Sequence, residues 1–198
     1  MTPLQQRVQF HLQDSMATLS NTLDQQSHLI ESAAERLAGC LLQGGKVLVC
    51  ANGISAALAQ YTAALLMNRF DRERPGLPAL ALTSDSVLIM SVAADQPYKT
   101  SLSRQVRTLG DHNDVLLALT TGQNTATLRE AITAAYDKEI QVILLGNENS
   151  AHLAEMLQSD DLEIRVPVDV SHRTQEVHLA LIHCLCDLID IQIFGEEL

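Results

Sequence analysis

The stretch VLVCANGISAALAQYTAALL, residues 47–66, contains the two patterns on which the fold prediction depends. Its start belongs to the run KVLVC, which is short, β-branched and apolar without polar alternation, and this indicates a strand buried on both faces. Gly53 then allows a sharp turn, and the Ala- and Leu-rich segment after Ser55 is typical of a helix. A buried strand, a tight loop and a helix together form one βα unit.

The same order repeats along the rest of the chain. Further short apolar runs alternate with helix-like segments, and a long helix from about residue 173 to residue 194 closes the sequence; the runs are ALALT, DVLLALT, QVILLG and LEIRVPV. Alternating βα units imply parallel strands, right-handed crossovers and helices on both faces of the sheet. We therefore expect an α/β fold, a three-layer α/β/α sandwich with a mostly parallel sheet of about five strands.

The first forty residues precede any strand and have helical spacing. Apolar residues recur three or four positions apart up to Leu23, and a second such run follows Ser27, a possible N-cap. The glycines of LQGGK end this run. We expect a single domain over 1–198, with N-terminal helices in 1–43 that join subunits and an α/β core with its C-terminal helix in 44–198.

Composition limits the classes of function. The chain has 198 residues, 46% of them hydrophobic, and a formal net charge of −11, so direct binding to nucleic acid is not expected. The four cysteines form no C-x-x-C pair and lie in apolar surroundings, as reduced thiols do. The N-terminus lacks the order of a signal peptide, and no apolar run approaches the ~20 residues of a membrane span. We expect a cytoplasmic protein that does not bind a membrane.

Two loops have the composition of an anion site. Ligands of parallel sheets bind beyond the carboxyl ends of the strands, where ANGIS follows the first strand and TTGQNT the third. A helix that begins after such a loop presents unpaired N–H groups to an anion. The polar or turn-forming residues are Asn52, Gly53, Ser55, Thr120, Thr121, Asn124 and Thr125. The alternative is that Ser55 and Thr125 are only N-caps. Neither loop is a G-x-G-x-x-G motif or a P-loop, so a nucleotide is not expected.

Several segments together resemble one known family. They are ANGISAALAQ, NRFDRERPGLPALALTSDS, GDHNDVLLALTTGQNT, DLEIRVP and RTQEVHLALIHCLCDLID. The chain resembles the sugar isomerase (SIS) domain family, and within it the branch that contains phosphoheptose isomerase and the DnaA initiator-associating protein. The resemblance extends over nearly the whole chain. It implies a phosphosugar-binding fold and a homotetramer joined by its N-terminal helices, with ligand sites lined by more than one chain.

The resemblance also implies roles for particular residues. The first phosphate loop of the family matches Asn52, Gly53 and Ser55, and the second matches Thr120, Thr121 and Thr125. Asp95 matches a polar position near the sugar. Gln175 and His183 match residues that the isomerases bring to the reacting carbons, or to zinc in some members.

Two departures from the family pattern bear on catalysis. The isomerases carry a His and a Glu four residues apart on the helix after the first loop, where this chain has Tyr61 and Leu65. Moving a proton between adjacent carbons needs a positioned base, and its loss typically costs a factor of ~10²–10⁴ in rate. The zinc set also loses two of its four ligands, so no metal or other cofactor is expected. Ile54 stands where a glycine is usual.

These departures favour a non-enzymatic hypothesis. We expect an adaptor whose acidic tetramer binds DnaA and promotes its assembly in replication initiation, with a degenerate phosphosugar site. The alternatives are a non-catalytic sugar-phosphate sensor and a sedoheptulose 7-phosphate isomerase in which His183 is catalytic. His183 equally fits a core histidine with one hydrogen bond. Phe194 is a candidate anchor for a partner, or packs on its own subunit.

Overall fold

The computed structural model describes residues 1–195, in which helices and strands alternate after a long first helix. The elements are α1 (Pro3–Leu42), β1 (Val47–Ala51), α2 (Ala56–Met67), β2 (Ala79–Ala81), α3 (Ser86–Asp95), α4 (Ser101–Leu109), β3 (Val115–Leu119), α5 (Ala126–Tyr136), β4 (Gln141–Asn147), α6 (Ala151–Ala154), β5 (Leu162–Val166) and α7 (Ser171–Phe194). Short 3₁₀ turns precede α2, α4 and α6.

The five strands form one parallel sheet in the order β2-β1-β3-β4-β5. In register, Val47 of β1 lies between Ala79 of β2 and Val115 of β3. The chain leaves β1 toward β2 on one side and continues through β3 on the other. The order therefore reverses between β1 and β3, and such switch points open a crevice at the carboxyl ends of the strands. The predicted fold class is confirmed.

Each strand contributes to two hydrophobic cores because successive side chains point to opposite faces. Val47 and Val49 pack in the layer formed by α1, α2 and α7. Leu48 and Cys50 pack in the layer formed by α4, α5 and α6. All four side chains are fully buried, which explains why β1 is an apolar run without polar alternation.

The N-terminal region is a single 40-residue helix. Thr2 caps it through the backbone N–H of Gln5, and Pro3 occupies its first turn. Ser27, expected as a second N-cap, lies inside the helix, so the predicted helix break is absent from α1. The C-terminal half of α1 packs on the core, whereas the N-terminal half exposes Leu12 and other apolar side chains to solvent.

The C-terminal helix α7 has the length and apolar composition of a membrane span, although the sequence interpretation found no such run. The central helix of a soluble protein passes the same test. Val177, Leu181 and Ile182 of α7 are buried in the core beneath α1 and α2. The buried apolar residues of α7 therefore belong to the core of this fold.

The loop between α2 and β2 connects α2 to α7 through the side chain of Arg74. Arg74 donates from Nε to Asp190 of α7 at 2.6 Å and from its terminal nitrogens to the carbonyls of Leu65 and Leu66 at the end of α2. Both charged side chains are buried. Nearby, the guanidinium of Arg72 lies 5.8 Å from the centre of the Phe194 ring. Phe194 thus packs against its own subunit and remains partly exposed.

Candidate functional site

A cleft of about 280 Å³ lies at the carboxyl ends of β1 and β3, at the switch point of the sheet. Its lining comes from the two loops expected from the sequence and from the first turns of α7: Asn52, Gly53, Ile54, Ser55, Thr121, Gln123, Asn124, Ser171 and Gln175. The fold thus brings together most of the predicted binding residues. Sequence reasoning missed Gln123 and Ser171, and it treated Ile54 only as a departure.

A larger cavity of about 660 Å³ lies at the opposite edge of the sheet, between α1 and the residues that precede β3 and β4. None of the predicted binding or catalytic residues lines it. Ligands of parallel sheets bind at the carboxyl ends of the strands, so the smaller cleft is the candidate site.

The first loop leaves a hydroxyl group available to a ligand. Gly53 adopts a φ of +56°, which a residue with a side chain rarely adopts, and the following 3₁₀ turn leads into α2. Ser55 precedes α2, but its hydroxyl does not cap the helix. Ser55 thus occupies the N-cap position without a side-chain capping bond. Ile54 is 80% exposed beside it and adds an apolar wall to the cleft.

Asn52 joins the two loops to each other. Its amide nitrogen donates to the carbonyl of Gln123 at 2.9 Å and to that of Asn124 at 2.5 Å. The donors of this side chain are thus occupied within the protein. Asn52 shapes the cleft by fixing the distance between its walls.

The second loop divides its hydroxyl groups between the cleft and the protein interior. Thr121 lines the cleft together with Asn124, whose φ of +51° is unusual for a residue other than glycine. Thr120 is buried, and its hydroxyl accepts the N–H of Gly122 at 3.0 Å. Thr125 does not cap α5; its hydroxyl lies 2.5 Å from Nε2 of His152. Of the four predicted residues, Thr120 and Thr125 therefore stabilise the loop through bonds within the protein.

The start of α7 supplies the third wall of the cleft. Ser171 is the first residue of the helix, and Gln175 follows one turn later. The residue at the N-cap, Val170, has no side chain that could bond the free N–H groups of the first turn. Those groups and the positive end of the helix dipole suit an anion. In the sequence, a serine at the start of a long apolar helix was the feature that could have predicted this wall.

The predicted catalytic residue lies farther along α7, among aromatic side chains. Nε2 of His183 is 2.9 Å from the hydroxyl of Tyr61 on α2, and the ring centres are 5.8 Å apart at a steep angle. Phe70 lies on another side, with its ring centre 5.6 Å from that of the imidazole. His183 is half-buried. These contacts hold the imidazole in a defined orientation at an accessible position.

Leu65 and Asp95 supply no functional group to the cleft. Leu65, one turn after Tyr61, packs on the apolar core and offers no group that can accept a proton. Asp95, expected near the sugar, is the exposed last residue of α3 and does not line the cleft. Among residues 1–195, no group of three or more His, Cys, Asp or Glu side chains is placed to hold a metal ion.

The other histidines differ in their surroundings. His178 is fully buried, with Nε2 3.3 Å from the carbonyl of Gly146, and so faces the sheet and not His183. Burial lowers its pKa to about 4. His11 and His152 are exposed, yet each has a specific partner. His11 accepts from Arg173 at 2.9 Å, and His152 bonds Thr125.

The cysteines are free thiols, and none has the surroundings of a nucleophile. Burial raises the pKa of Cys50 and of Cys186 to about 12 and that of Cys40 to about 11. Cys184 is exposed, contrary to the expectation of apolar surroundings, and partial burial followed by the charge of Asp187 raises its pKa as well. A thiolate is the reactive form, so these thiols are not candidates for covalent catalysis.

Comparison with known proteins agrees with this geometry. A family model described as SIS domain matches residues 11–147. Phosphoheptose isomerases from Chromohalobacter salexigens and Thiobacillus denitrificans are each 44% identical to the chain, over 96% and 98% of its length and 97% and 99% of theirs. The solved phosphoheptose isomerase of Francisella tularensis matches with a TM-score of 0.90 and 38% identity, over 96% of this chain and 99% of that one.

These similarities correct the function expected from the sequence. Relatives that are 36–44% identical over nearly the whole chain are phosphoheptose isomerases, and they include a solved structure from Neisseria gonorrhoeae with 36% identity and a TM-score of 0.88. The hypothesis of an adaptor that binds DnaA in replication initiation is contradicted by this finding. The expectation that the chain is not an enzyme has no support from its relatives either.

Proposed function

The chain belongs to the SIS domain family, and we propose that it is a phosphoheptose isomerase that converts sedoheptulose 7-phosphate to its aldose form. The observation that supports this proposal is that one helix, α7, lines a cleft suited to an anion and also carries an oriented imidazole. Ser171 and Gln175 line the cleft, and His183 follows two turns later on α7. We propose that the reaction takes place in the cytoplasm, where buried reduced thiols such as Cys50 are common.

The phosphate group is best accommodated by the cleft. The hydroxyls of Ser55, Thr121 and Ser171 can donate to its oxygens, and the N-terminal ends of α2 and α7 add N–H groups and favourable dipoles. Gln175 can bond the hydroxyl groups of the sugar. Phosphate binding here does not depend on a lysine or arginine in the lining.

The spacing along α7 favours a long sugar. Gln175 and His183 are eight residues apart, which corresponds to about 12 Å along a helix axis. A distance of this order matches an extended sugar phosphate of six or seven carbons better than a triose phosphate. The phosphate in the cleft and the reacting carbons near His183 then lie at opposite ends of one substrate.

Isomerisation would use a single base. The imidazole of His183 takes a proton from C1 of the ketose, the C–H electron pair forms the C1=C2 bond of an enediol, and the same imidazole returns the proton to C2. The O–H proton moves from the oxygen on C1 to the oxygen on C2, and the phenol of Tyr61 is placed to relay it. Because Leu65 supplies no second base, we expect turnover to be lower by ~10²–10⁴ than with a complete set.

Solvent exchange provides a sensitive test. Incubation of the purified protein with sedoheptulose 7-phosphate in D₂O should introduce deuterium at C1 of the ketose and C2 of the aldose, observed by NMR. The variant His183→Ala should lose this exchange, whereas His28→Ala, an exposed histidine of α1, should retain it. Equal exchange in His183→Ala and in the unmodified protein would exclude His183 as the base.

A second function, a sugar-phosphate sensor without chemistry, is favoured by one observation. Leu65 occupies the position of the family carboxylate and packs on the core, so the proton-transfer machinery is incomplete. A sensor would be stabilised against heat by sedoheptulose 7-phosphate, as any ligand that binds only the folded state stabilises it. It would show that stabilisation without any incorporation of deuterium.

We also propose that the protein self-associates as a homotetramer through α1. Along the N-terminal half of this helix, exposed apolar side chains recur every three or four residues: Leu4, Val8, Leu12, Met16, Leu19 and Leu23. This spacing forms one apolar stripe along the helix, which is the pattern of a helix that packs against another helix.

A further inference from the structure

The segment of residues 147–152, called the connection below, runs from the last residue of β4 into the start of α6; it contributes no side chain to the cleft but contacts two of its walls. It is held rigidly by its own hydrogen bonds. The N–H of Asn147 donates to the hydroxyl of Ser150 at 2.8 Å, and this hydroxyl donates to the carbonyl of Asn147 at 2.6 Å. Both residues are fully buried. The connection can therefore act as a firm support for what packs against it.

On one side the connection supports the second loop. Gly122 has a φ of +81°, and a Cβ added there would come within 2.4 Å of Cβ of Asn149, so the loop backbone lies directly against this residue. Three residues later, the hydroxyl of Thr125 bonds Nε2 of His152 at 2.5 Å. Thr121, Gln123 and Asn124, the part of the loop that lines the cleft, lie between or beside these two attachments.

On the other side the connection holds the segment that leads into α7. Asn149 donates from its amide nitrogen to the carbonyl of Asp169 at 3.0 Å, and Asn147 donates to the hydroxyl of Thr174 at 3.1 Å. The N–H of Glu148 reaches the carbonyl of Val168 at 3.3 Å. Ser171, one of the two α7 residues that line the cleft, lies between these attachments.

From these contacts we propose that His152 and Asn149 are positioning residues of the ligand cleft: His152 fixes the second loop through Thr125, and Asn149 sets its separation from the start of α7. What the cleft binds rests on the proposed function. The role of His152 follows from its hydrogen bond and not from its charge, so a neutral side chain that keeps the bonding atom in place should replace it.

Amide hydrogen exchange of the ligand-free protein tests the proposal directly. The side chain introduced in His152→Asn is too short to reach Thr125. Its terminal amide atoms lie at the level of Nδ1 of the imidazole and not at the level of Nε2. We expect exchange within residues 120–126 to rise about fivefold, the factor that one hydrogen bond of about 1 kcal/mol represents. His152→Gln, whose amide corresponds to Nε2, should stay within twofold of the unmodified protein, as should the exposed control His112→Gln. The proposal is overturned if amide exchange within residues 120–126 is unchanged in His152→Asn, or if it rises equally in His152→Gln.

Binding of sedoheptulose 7-phosphate, measured by calorimetry, tests the consequence for the cleft. Affinity should fall about fivefold in His152→Asn and recover in His152→Gln, and Asn149→Ala should weaken binding with little change in thermal stability. Unchanged affinity in both His152→Asn and Asn149→Ala overturns the proposal. If the unmodified protein does not bind this sugar, the proposed function is wrong, and the exchange experiment alone decides whether His152 positions the loop.

Discussion

Acidification should destabilise the protein through His178. This imidazole is fully buried, its Nε2 is bonded to the carbonyl of Gly146, and its Nδ1 has no hydrogen-bond partner among the described residues. Burial lowers its pKa to about 4, partly opposed by the bond to Gly146. In the unfolded chain the pKa of a histidine returns to ~6.5. Between these values the unfolded state binds a proton that the folded state excludes.

The sign and the magnitude follow from proton linkage. Because the folded pKa is depressed, the stabilising contribution of neutral His178 is complete above about pH 6.5 and is lost as the pH falls toward 4. In the middle of this window the slope approaches about 1.4 kcal/mol per pH unit. From pH 7 to pH 5 the expected loss in the free energy of unfolding is about 2 kcal/mol.

Urea denaturation at pH 7, 6 and 5 measures this loss, and the variant His178→Gln provides the reference because its amide does not titrate. The unmodified protein should lose about 2 kcal/mol more than the variant from pH 7 to pH 5, with the same dependence on urea concentration. Subtracting the variant removes the contribution of all other titrating groups. The reasoning would be refuted if the free energies of unfolding of the two proteins differed by the same amount at pH 7 and at pH 5.

Three further predictions concern packing, assembly and chemistry. Asp190→Ala leaves Arg74 buried without its partner and should reduce the free energy of unfolding by about 3–5 kcal/mol; a urea midpoint near that of the unmodified protein would contradict this. Leu12→Glu should lower the mass measured by light scattering, whereas Gln13→Glu, which adds the same charge off the apolar stripe, should not. Leu65→Glu should raise the rate of deuterium incorporation by at least ~10², and no increase would show that a carboxylate at this position does not reach the substrate.

The architecture was predictable because the local patterns agree with the tertiary structure. The uniformly apolar run at β1 is what a strand covered on both faces requires, and its side chains do divide between the two cores. The position of the cleft followed as well, since loops after parallel strands meet at the carboxyl edge of the sheet. The break expected at Ser27 was wrong because the helical period continues unchanged through it, and a serine inside a helix is tolerated.

The orientation of individual loop side chains was not predictable in this way. Thr120, Thr121 and Thr125 are the same residue type and lie in the same loop, yet only Thr121 lines the cleft. For Thr125 the difference is a distant partner, because its hydroxyl bonds His152, 27 residues away. No local pattern contains that information. Asp95 lies outside the cleft for a related reason, because the position of α3 relative to the sheet is set by packing.

In the proposed function, binding and proton transfer occupy different parts of α7, and this separation determines how the substitutions in the chain should act. The cleft is formed at the first turns of the helix by Ser171 and Gln175, whereas His183 meets Tyr61 about two turns later. Leu65 lies on α2 beside the second of these regions and outside the lining of the first. A missing carboxylate at this position should therefore lower kcat and leave the affinity for a phosphosugar largely intact, because the groups that suit a phosphate do not include it.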